Sequence, residues 1–310
     1  MPVAESCEQN QRIISIKGAV CLTFVALFID GFVPAFGIDW PQGYVVHEES
    51  ESPDGQYGII VPAAESDTGD NYLANLKTHQ LLGKIEGADY FEHQNHRSLN
   101  VEWSTDPKWC VATYWDRYGF GSILILEPKD AKLTQTEIGD RVQKSLNDAM
   151  KKQSRDKEMA GDAGPYFRLG PGRKLRVRAI SQNNPKQFDN VKTYYALFQG
   201  TFDLDAKKWT VTDARSIMSG QSDSLQMAYS DLDRDLEHVT YSTEQDKAES
   251  LDQKMNAVYQ AAQFILPSKR FAAVKKEQVE WLKKRNAVPS LEEKCKKIVA
   301  RIKALQDLVW

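Results

Sequence analysis

The side chains best suited to recognising a ligand occur together near the end of the chain. Gln278, Trp281 and Arg285 follow one another at spacings of three and four residues, which places them on one face of a predicted helix, with Lys284 beside them. Amide, indole, ammonium and guanidinium groups bind partners through hydrogen bonds, stacking and charge. These four residues are therefore the candidate binding site.

This face also carries apolar residues, so it should turn towards neighbouring helices. A buried guanidinium group needs hydrogen-bonding partners, because leaving it unpaired is costly. Two interpretations stay open: Gln278 and Arg285 form an internal polar clamp that fixes the register of the helices, or a partly open groove presents Trp281 and Arg285 to a ligand. We favour the clamp, with secondary ligand contacts through exposed lysines such as Lys284.

Signatures of catalysis are scarce. Glu92, His93 and His96 cluster in the sequence FEHQNH, but they lack the i, i+4 spacing of a zinc-protease helix, so a polar loop is favoured over a metal site. A G-x-S-x-G elbow, a phosphate-binding glycine loop and a dinucleotide fingerprint do not occur. We predict no metal, no cofactor and no turnover. A hydrolase with its site in the β-rich part of the chain is the catalytic alternative.

Residues 38 to 220 are predicted to be mostly β-structure. Turn signals at Ser52-Pro53-Asp54-Gly55 and Ser104-Thr105-Asp106-Pro107 precede apolar strands. The apolar run from Ile123 to Leu126 predicts a strand covered on both faces. Lys174, Arg176 and Arg178 alternate with apolar residues, which favours the solvated face of an edge strand over an anion-binding surface.

An amphipathic helix interrupts the predicted strands between residues 134 and 153. Thr134 and Glu137 suit its start, and a polar loop from Ser154 to Gly164 should follow it. Its single apolar face, which should pack across a sheet, consists of Ile138, Val142, Leu146 and Met150.

Residues 243 to 310 predict three antiparallel helices. Leu266-Pro267 and Pro289 interrupt the pattern, and Ser268 and Ser290 suit the starts of the second and third helices. The apolar stripes consist of Leu251, Met255, Val258, Ala262 and Ile265 in the first helix, Phe271 and Val274 in the second, and Leu291, Cys295, Ile298, Ile302, Leu305 and Val309 in the third.

These helices also carry a recognisable pattern of polar and aromatic residues. It consists of Leu251-Asp252 with Asn256 and Tyr259, then Leu266-Pro267, then Gln278-x-x-Trp281-Leu282-x-x-Arg285. The pattern resembles the LprI-type lysozyme-inhibitor domain over about the last quarter of the chain. The resemblance implies an extracytoplasmic helical module, which in some members inhibits lysozyme.

The β-rich part contains a weak repeat. The units SPDGQYGIIV and STDPKWCVATYW recur about fifty residues apart, with fainter echoes at residues 170–174 and 205–209. They resemble the inner hairpins of WD-like or TolB-type β-propeller blades. Because closed propellers typically have about four or more blades, we expect an incomplete β-propeller-like domain or a β-meander.

Composition and the first residues bear on location and partners. Residues 243–310 contain 14 Lys or Arg against 9 Asp or Glu, so with a net charge of −3 for the whole chain the remainder carries −8. This distribution argues against nucleic acid as the main partner. Residues 1–37 resemble an export signal, with Arg12 and Lys17 before an apolar run and Ala35-Phe36-Gly37 as the cleavage site. An uncleaved membrane anchor is the alternative.

Cleavage of that signal would leave two cysteines in a periplasmic or secreted protein that begins near Ile38. Spacing alone does not bring Cys110 and Cys295 together, so we expect two separate buried thiols rather than a disulfide.

The sequence thus predicts an α+β multidomain protein. We expect a signal peptide over residues 1–37, the β-meander or incomplete propeller-like domain over 38–220, a linker or lead-in helix over 221–242, and an antiparallel three-helix domain over 243–310. The function implied by the resemblance is non-catalytic binding of a protein partner, lysozyme or another component of the cell envelope, with membrane contact only through the export signal. A structural or scaffolding protein of the envelope is the alternative.

Overall fold

Strands dominate the first two thirds of the computed structural model, which describes residues 40–64, 69–117, 119–152, 160–170, 172–183 and 193–310. Twelve described strands form three antiparallel sheets, each with four strands in sequential order. The first sheet contains β1 (Tyr44–Val46), β2 (Tyr57–Pro62), β3 (Asn71–Asn75) and β4 (Gln80–Ile85); the second contains β5 (Ser98–Trp103), β6 (Cys110–Asp116), β7 (Gly119–Lys129) and β8 (Lys132–Glu137); the third contains β9 (Ala160–Gly170), β10 (Lys174–Asn183), β11 (Tyr195–Asp203) and β12 (Lys208–Ile217).

Helices connect the second and third sheets and complete the chain. Their bounds are α1 (Gly139–Lys151), α2 (Ser219–Tyr229), α3 (Leu232–His238), α4 (Glu244–Ile265), α5 (Ser268–Asn286) and α6 (Leu291–Val309). The predicted α+β class is confirmed. None of the helices in these ranges combines the length and apolar character needed to span a membrane. The predicted export signal over residues 1–37 lies outside the described residues.

The first and second sheets share a hydrophobic core, and β7 contributes to two cores at once. Leu124 and Leu126 face the first sheet, whereas Ile123 and Ile125 face the third sheet and α1. All four are almost completely buried, so the predicted strand with two covered faces is confirmed. Side chains alternate across a strand, which is why a strand between two layers must be apolar at every position.

Helix α1 fills the space between the second and third sheets. Ile138 precedes it, and Ile138, Val142, Leu146 and Met150 are all buried there, as the sequence predicts. The expected start of the helix is wrong: Thr134 and Glu137 belong to β8, and Glu137 accepts a hydrogen bond from the backbone N–H of Gly139 at 2.6 Å. The expected loop up to Gly164 is also too long, because β9 begins at Ala160.

A third core joins the third sheet to the helices. Ile180, Leu197 and Ile217 of the sheet pack in the same cluster as Leu225 of α2 and Met255 of α4. Residues 221–242 contain most of α2 and all of α3, and Leu225 and Leu232 of these helices pack in this core. All described residues belong to one compact unit.

The predicted apolar stripes of α4, α5 and α6 face this core. Every stripe residue from Leu251 to Val309 is buried or half-buried. Ser290 caps α6, accepting a hydrogen bond from the N–H of Glu293 at 3.4 Å. The cap predicted at Ser268 is wrong by one residue, since Pro267 occupies the N-cap position of α5. Cys110 and Cys295 are free, buried thiols in separate cores, as expected.

Candidate binding cleft

Gln278, the first of the four predicted site residues, lies between the three long helices. Its side chain is buried and accepts a hydrogen bond from Nε of Arg301 on α6 at 2.8 Å. Its amide group also contacts the sulfur of Met255 on α4 at 3.6 Å. Gln278 therefore connects α5 to both of its neighbours.

Trp281 and Arg285 lie one and two turns further along α5 than Gln278. The guanidinium group of Arg285 forms an ion pair with Asp252 of α4, and its carbon lies 5.4 Å from the centre of the half-buried Trp281 ring. Lys284 is exposed. Three of the four predicted residues thus lie along the contact between helices, an arrangement that favours the clamp over an open groove, and only Lys284 faces solvent.

Arg285→Ala is expected to lower the free energy of unfolding by about 1–3 kcal/mol, because it removes the ion pair with Asp252. The loss stays below that of a fully buried pair, since 39% of the Asp252 side chain is exposed. Trp281→Ala should cost a similar amount, because its ring is only half-buried. Urea unfolding measures the free energy of unfolding of both variants.

Lys284→Ala is the control for these variants and should stay within about 0.5 kcal/mol of the wild type. An Arg285→Ala protein with unchanged stability and weakened partner binding would favour the groove instead.

A recess, which we call the cleft, lies at the junction of the second sheet, the third sheet and the helices. It has a volume of about 670 Å³ and is half-enclosed. Residues of β5, β6 and β9 form its sheet walls, and residues of α2, α3 and α6 form the opposite wall. None of the four residues predicted on α5 lines this cleft.

Strand β5 supplies the polar residues of the sheet wall. Leu99 and Val101 face the first sheet, so Asn100 and Glu102, at alternating positions, face the opposite way. Trp115 of β6 pairs with Ser98 in register and lies on the same side of the sheet as Asn100 and Glu102. The face of the second sheet that carries Asn100, Glu102 and Trp115 is thus apolar inside the core, and it becomes polar and aromatic where it borders the cleft.

Most charged groups of the cleft already have partners. Arg168 pairs with Asp307 at 2.7 Å, Lys303 with Asp233 at 2.7 Å, and Arg234 with Glu49 at 2.8 Å. Asp235 pairs with Lys254, and the carboxylate of Asp231 caps α3 by accepting hydrogen bonds from two backbone N–H groups.

Glu102 is the exception among the charged groups of the cleft. Its carboxyl group makes no hydrogen bond or ion pair with any described residue. Glu102 is exposed to the water of the cleft, although the walls on either side reduce the hydration of its carboxyl group. This desolvation, reinforced by the nearby Asp231 and opposed by Arg234, raises the pKa of Glu102 from 4.5 to about 7.

Glu102 should make the stability of the protein depend on pH. The folded protein binds the Glu102 proton more tightly than the unfolded chain, so between pH 4.5 and about 7 stability falls as the pH rises. Glu102→Gln should therefore be more stable than the wild type at about pH 8 and nearly equal to it at about pH 4. Urea unfolding at both pH values checks this.

Asn100→Ser serves as the control for Glu102→Gln. It changes the neighbouring polar side chain without changing charge and should keep the pH dependence of the wild type. The same stability difference between Glu102→Gln and the wild type at both pH values would contradict the assignment.

Trp310 lines the cleft, and the buried Arg178 lies against it. Arg178 is buried and donates hydrogen bonds to the carbonyl oxygens of Gly200, at 3.2 Å, and Trp310. The guanidinium carbons of Arg168 and Arg178 lie 4.9 and 5.5 Å from the centre of the Trp310 ring, and the Tyr229 ring meets it edge-on at 5.4 Å. Two cations thus hold one indole in place.

The prediction of an edge strand is wrong for all three cations, and the prediction of a solvated face is wrong for Arg178. Strand β10 lies between β9 and β11, so it is an interior strand of the third sheet. Lys174 and Arg176 are exposed, but the helical layer covers the sheet at Arg178. The three cations therefore do not form one continuous surface.

Glu92, His93 and His96 do not converge either. Glu92 contacts Nδ1 of His47 at 3.0 Å, whereas His93 and His96 adopt left-handed backbone conformations with φ of 59° and 63°. Within the described ranges, no three side chains suited to binding a metal ion lie together.

No protein-family model matches this chain, and comparison with curated proteins finds none that is similar. The geometry of the cleft is therefore the main basis for a functional proposal. Sequence reasoning missed Asn100 and Glu102, because polar residues that alternate with Leu99 and Val101 are also typical of a solvated sheet face. Only the position of the third sheet and the helices shows that this face borders a recess.

Proposed function

We propose that this protein is an exported binding protein that recognises lysozyme or another component of the cell envelope without chemical turnover. The observation that carries the proposal is the half-enclosed cleft, whose walls combine aromatic rings with the unpaired carboxyl group of Glu102. Its volume of about 670 Å³ lies within the range of roughly 300–1,000 Å³ that is typical of ligand sites.

We further propose that the three sheets are successive blades of an incomplete β-propeller-like domain. Each sheet is a four-stranded meander, as propeller blades are. Neighbouring sheets also share hydrophobic cores through their facing sides. Both features support the propeller interpretation.

The helices α4, α5 and α6 are proposed to form an antiparallel, LprI-type module. In support, residues of the family pattern contact one another or their neighbours: Asp252 pairs with Arg285, and the Tyr259 ring lies 5.3 Å from that of Phe271. Because these contacts hold the helices together, we place the main ligand site in the cleft. Lys284 is left as a secondary contact.

Export is tested by the intact mass of protein recovered outside the cytoplasm. We expect a chain that begins near Ile38, because the apolar run and the Ala-Phe-Gly site of the sequence fit cleavage there. A membrane-bound form that retains residues 1–37 would contradict cleavage and favour the anchor.

Binding is tested with the purified mature protein in two assays. The first measures sedimentation of the protein with cell-envelope preparations, and the second measures its effect on the lysis of cells by lysozyme. Retention or inhibition, with the envelope glycans left intact by mass spectrometry, is the expected result. Absence of both effects would favour the scaffolding alternative, and release of glycan fragments by the protein alone would show a hydrolase.

A further inference from the structure

We propose that the cleft binds an uncharged, polyhydroxylated ligand, namely a short stretch of a glycan chain. This inference rests on the proposed function and specifies its ligand. The shape of the recess, the state of its charges and the types of side chain in its walls carry this inference.

The cleft continues into a second recess, which gives it the length of a groove. The second recess has a volume of about 400 Å³, and both are lined by Trp115, Gly164 and Tyr166. Tyr195 lines only the second of these two recesses, and Trp310 only the first. Aromatic residues thus occur in both recesses and in the wall that they share, which suits an extended chain better than a single compact molecule.

The charges of the groove disfavour a charged ligand. A polyanion would need unpaired cations, but Arg168, Arg234 and Lys303 each have a carboxylate partner. A polycation would need several unpaired carboxylates, and Glu102 is the single one without a partner among the described charged residues of the larger recess. A charged ligand would have to compete with these largely exposed ion pairs, which costs a modest free energy that a neutral ligand does not require.

The available groups match the chemistry of a sugar. The ring of a pyranose presents C–H groups on its faces, which pack against aromatic side chains such as Trp115 and Tyr166, and hydroxyl groups at its edge, which need hydrogen-bonding partners. Asn100 and Glu102 lie two residues apart on one side of β5, and neither side chain makes a hydrogen bond within the described residues. An amide and a carboxyl group can together donate to and accept from hydroxyl groups.

Tryptophan fluorescence and calorimetry with defined oligosaccharides test this inference. The probes are β-1,4-linked tetrasaccharides of glucose and of N-acetylglucosamine and an α-1,4-linked tetrasaccharide of glucose. We expect saturable binding of at least one probe. Trp115→Ala should weaken it by about tenfold or more and Glu102→Gln by about five- to tenfold, as expected for a stacked ring and a charge-assisted hydrogen bond.

Two further variants keep the test specific. Lys275→Ala on α5 and Val211→Thr on β12, both at exposed positions outside the groove, should bind as the wild type does. Glu102→Gln is isosteric, so it tests the groove even if Trp115→Ala fails to fold, which its circular dichroism would reveal.

The failure of this inference can be told apart from the failure of the proposed function. If no probe binds, or if Glu102→Gln binds every probe as the wild type does, the glycan groove is overturned. In that case envelope retention or lysozyme inhibition by the wild type would still support the proposed function. Lysozyme binding that is lost in Glu102→Gln, with no affinity for any probe, would instead identify a protein segment as the occupant of the groove.

Discussion

Trp109→Ala is expected to lower the free energy of unfolding by about 3–5 kcal/mol, one of the two largest effects that we predict for this protein. Trp109 is only 2% exposed and packs in the core that the second sheet, the third sheet and α1 share. Alanine would leave a cavity that the surrounding strands can fill only in part. The first measurement is urea unfolding followed by circular dichroism.

The conservative variant Trp109→Phe distinguishes a cavity from a general loss of structure. It keeps an aromatic ring in the core and should lose clearly less stability than Trp109→Ala. Val211→Thr, at a partly exposed position of β12, is the control and should change stability by about 0.5 kcal/mol or less. A Trp109→Ala protein as stable as this control would mean that the two sheets do not depend on a shared core.

Trp310→Ala should also cost about 3–5 kcal/mol, because it removes a large buried ring. The ring is 8% exposed and contacts Tyr229 and the guanidinium groups of Arg168 and Arg178. Its loss would also uncover the buried charge of Arg178, whose nearest partners are carbonyl oxygens. We therefore expect both lower stability and weaker ligand binding, since Trp310 forms a wall of the cleft.

Trp310→Phe and Arg168→Gln separate the contributions to this wall. Phenylalanine keeps an aromatic face for Arg178 and should restore much of the stability. Arg168→Gln removes a cation whose ion pair with Asp307 is largely exposed, so its cost should stay below about 1 kcal/mol. Unfolding and probe binding are measured on the same samples. Full stability in Trp310→Ala would show that the aromatic wall does not support the fold.

The sequence by itself determined the local elements of this protein. Side chains repeat every two residues in a strand and every three or four in a helix, so Ile123 to Leu126 predicted a doubly covered strand and Val142 with Leu146 predicted an amphipathic helix. The stripes of α4, α5 and α6 followed from the same rule. Arg285 lies on the stripe of α5, and its expected burial there favoured its pairing with a group inside the helical layer. Boundaries were less certain, because Thr134 and Glu137 fit a capped helix as well as the last residues of β8.

Tertiary structure alone decided which polar residues lie at a site. Asn100 and Glu102 have the pattern of a solvated face, and Lys174, Arg176 and Arg178 have that of an edge strand, because periodicity reports which side a residue faces and not what lies opposite it. The Trp310 carbonyl oxygen that Arg178 binds, and the Asp231 and Arg234 side chains near Glu102, lie more than a hundred positions away in the chain. Burial and pKa depend on those distant neighbours, so the cleft could be recognised only from the folded protein.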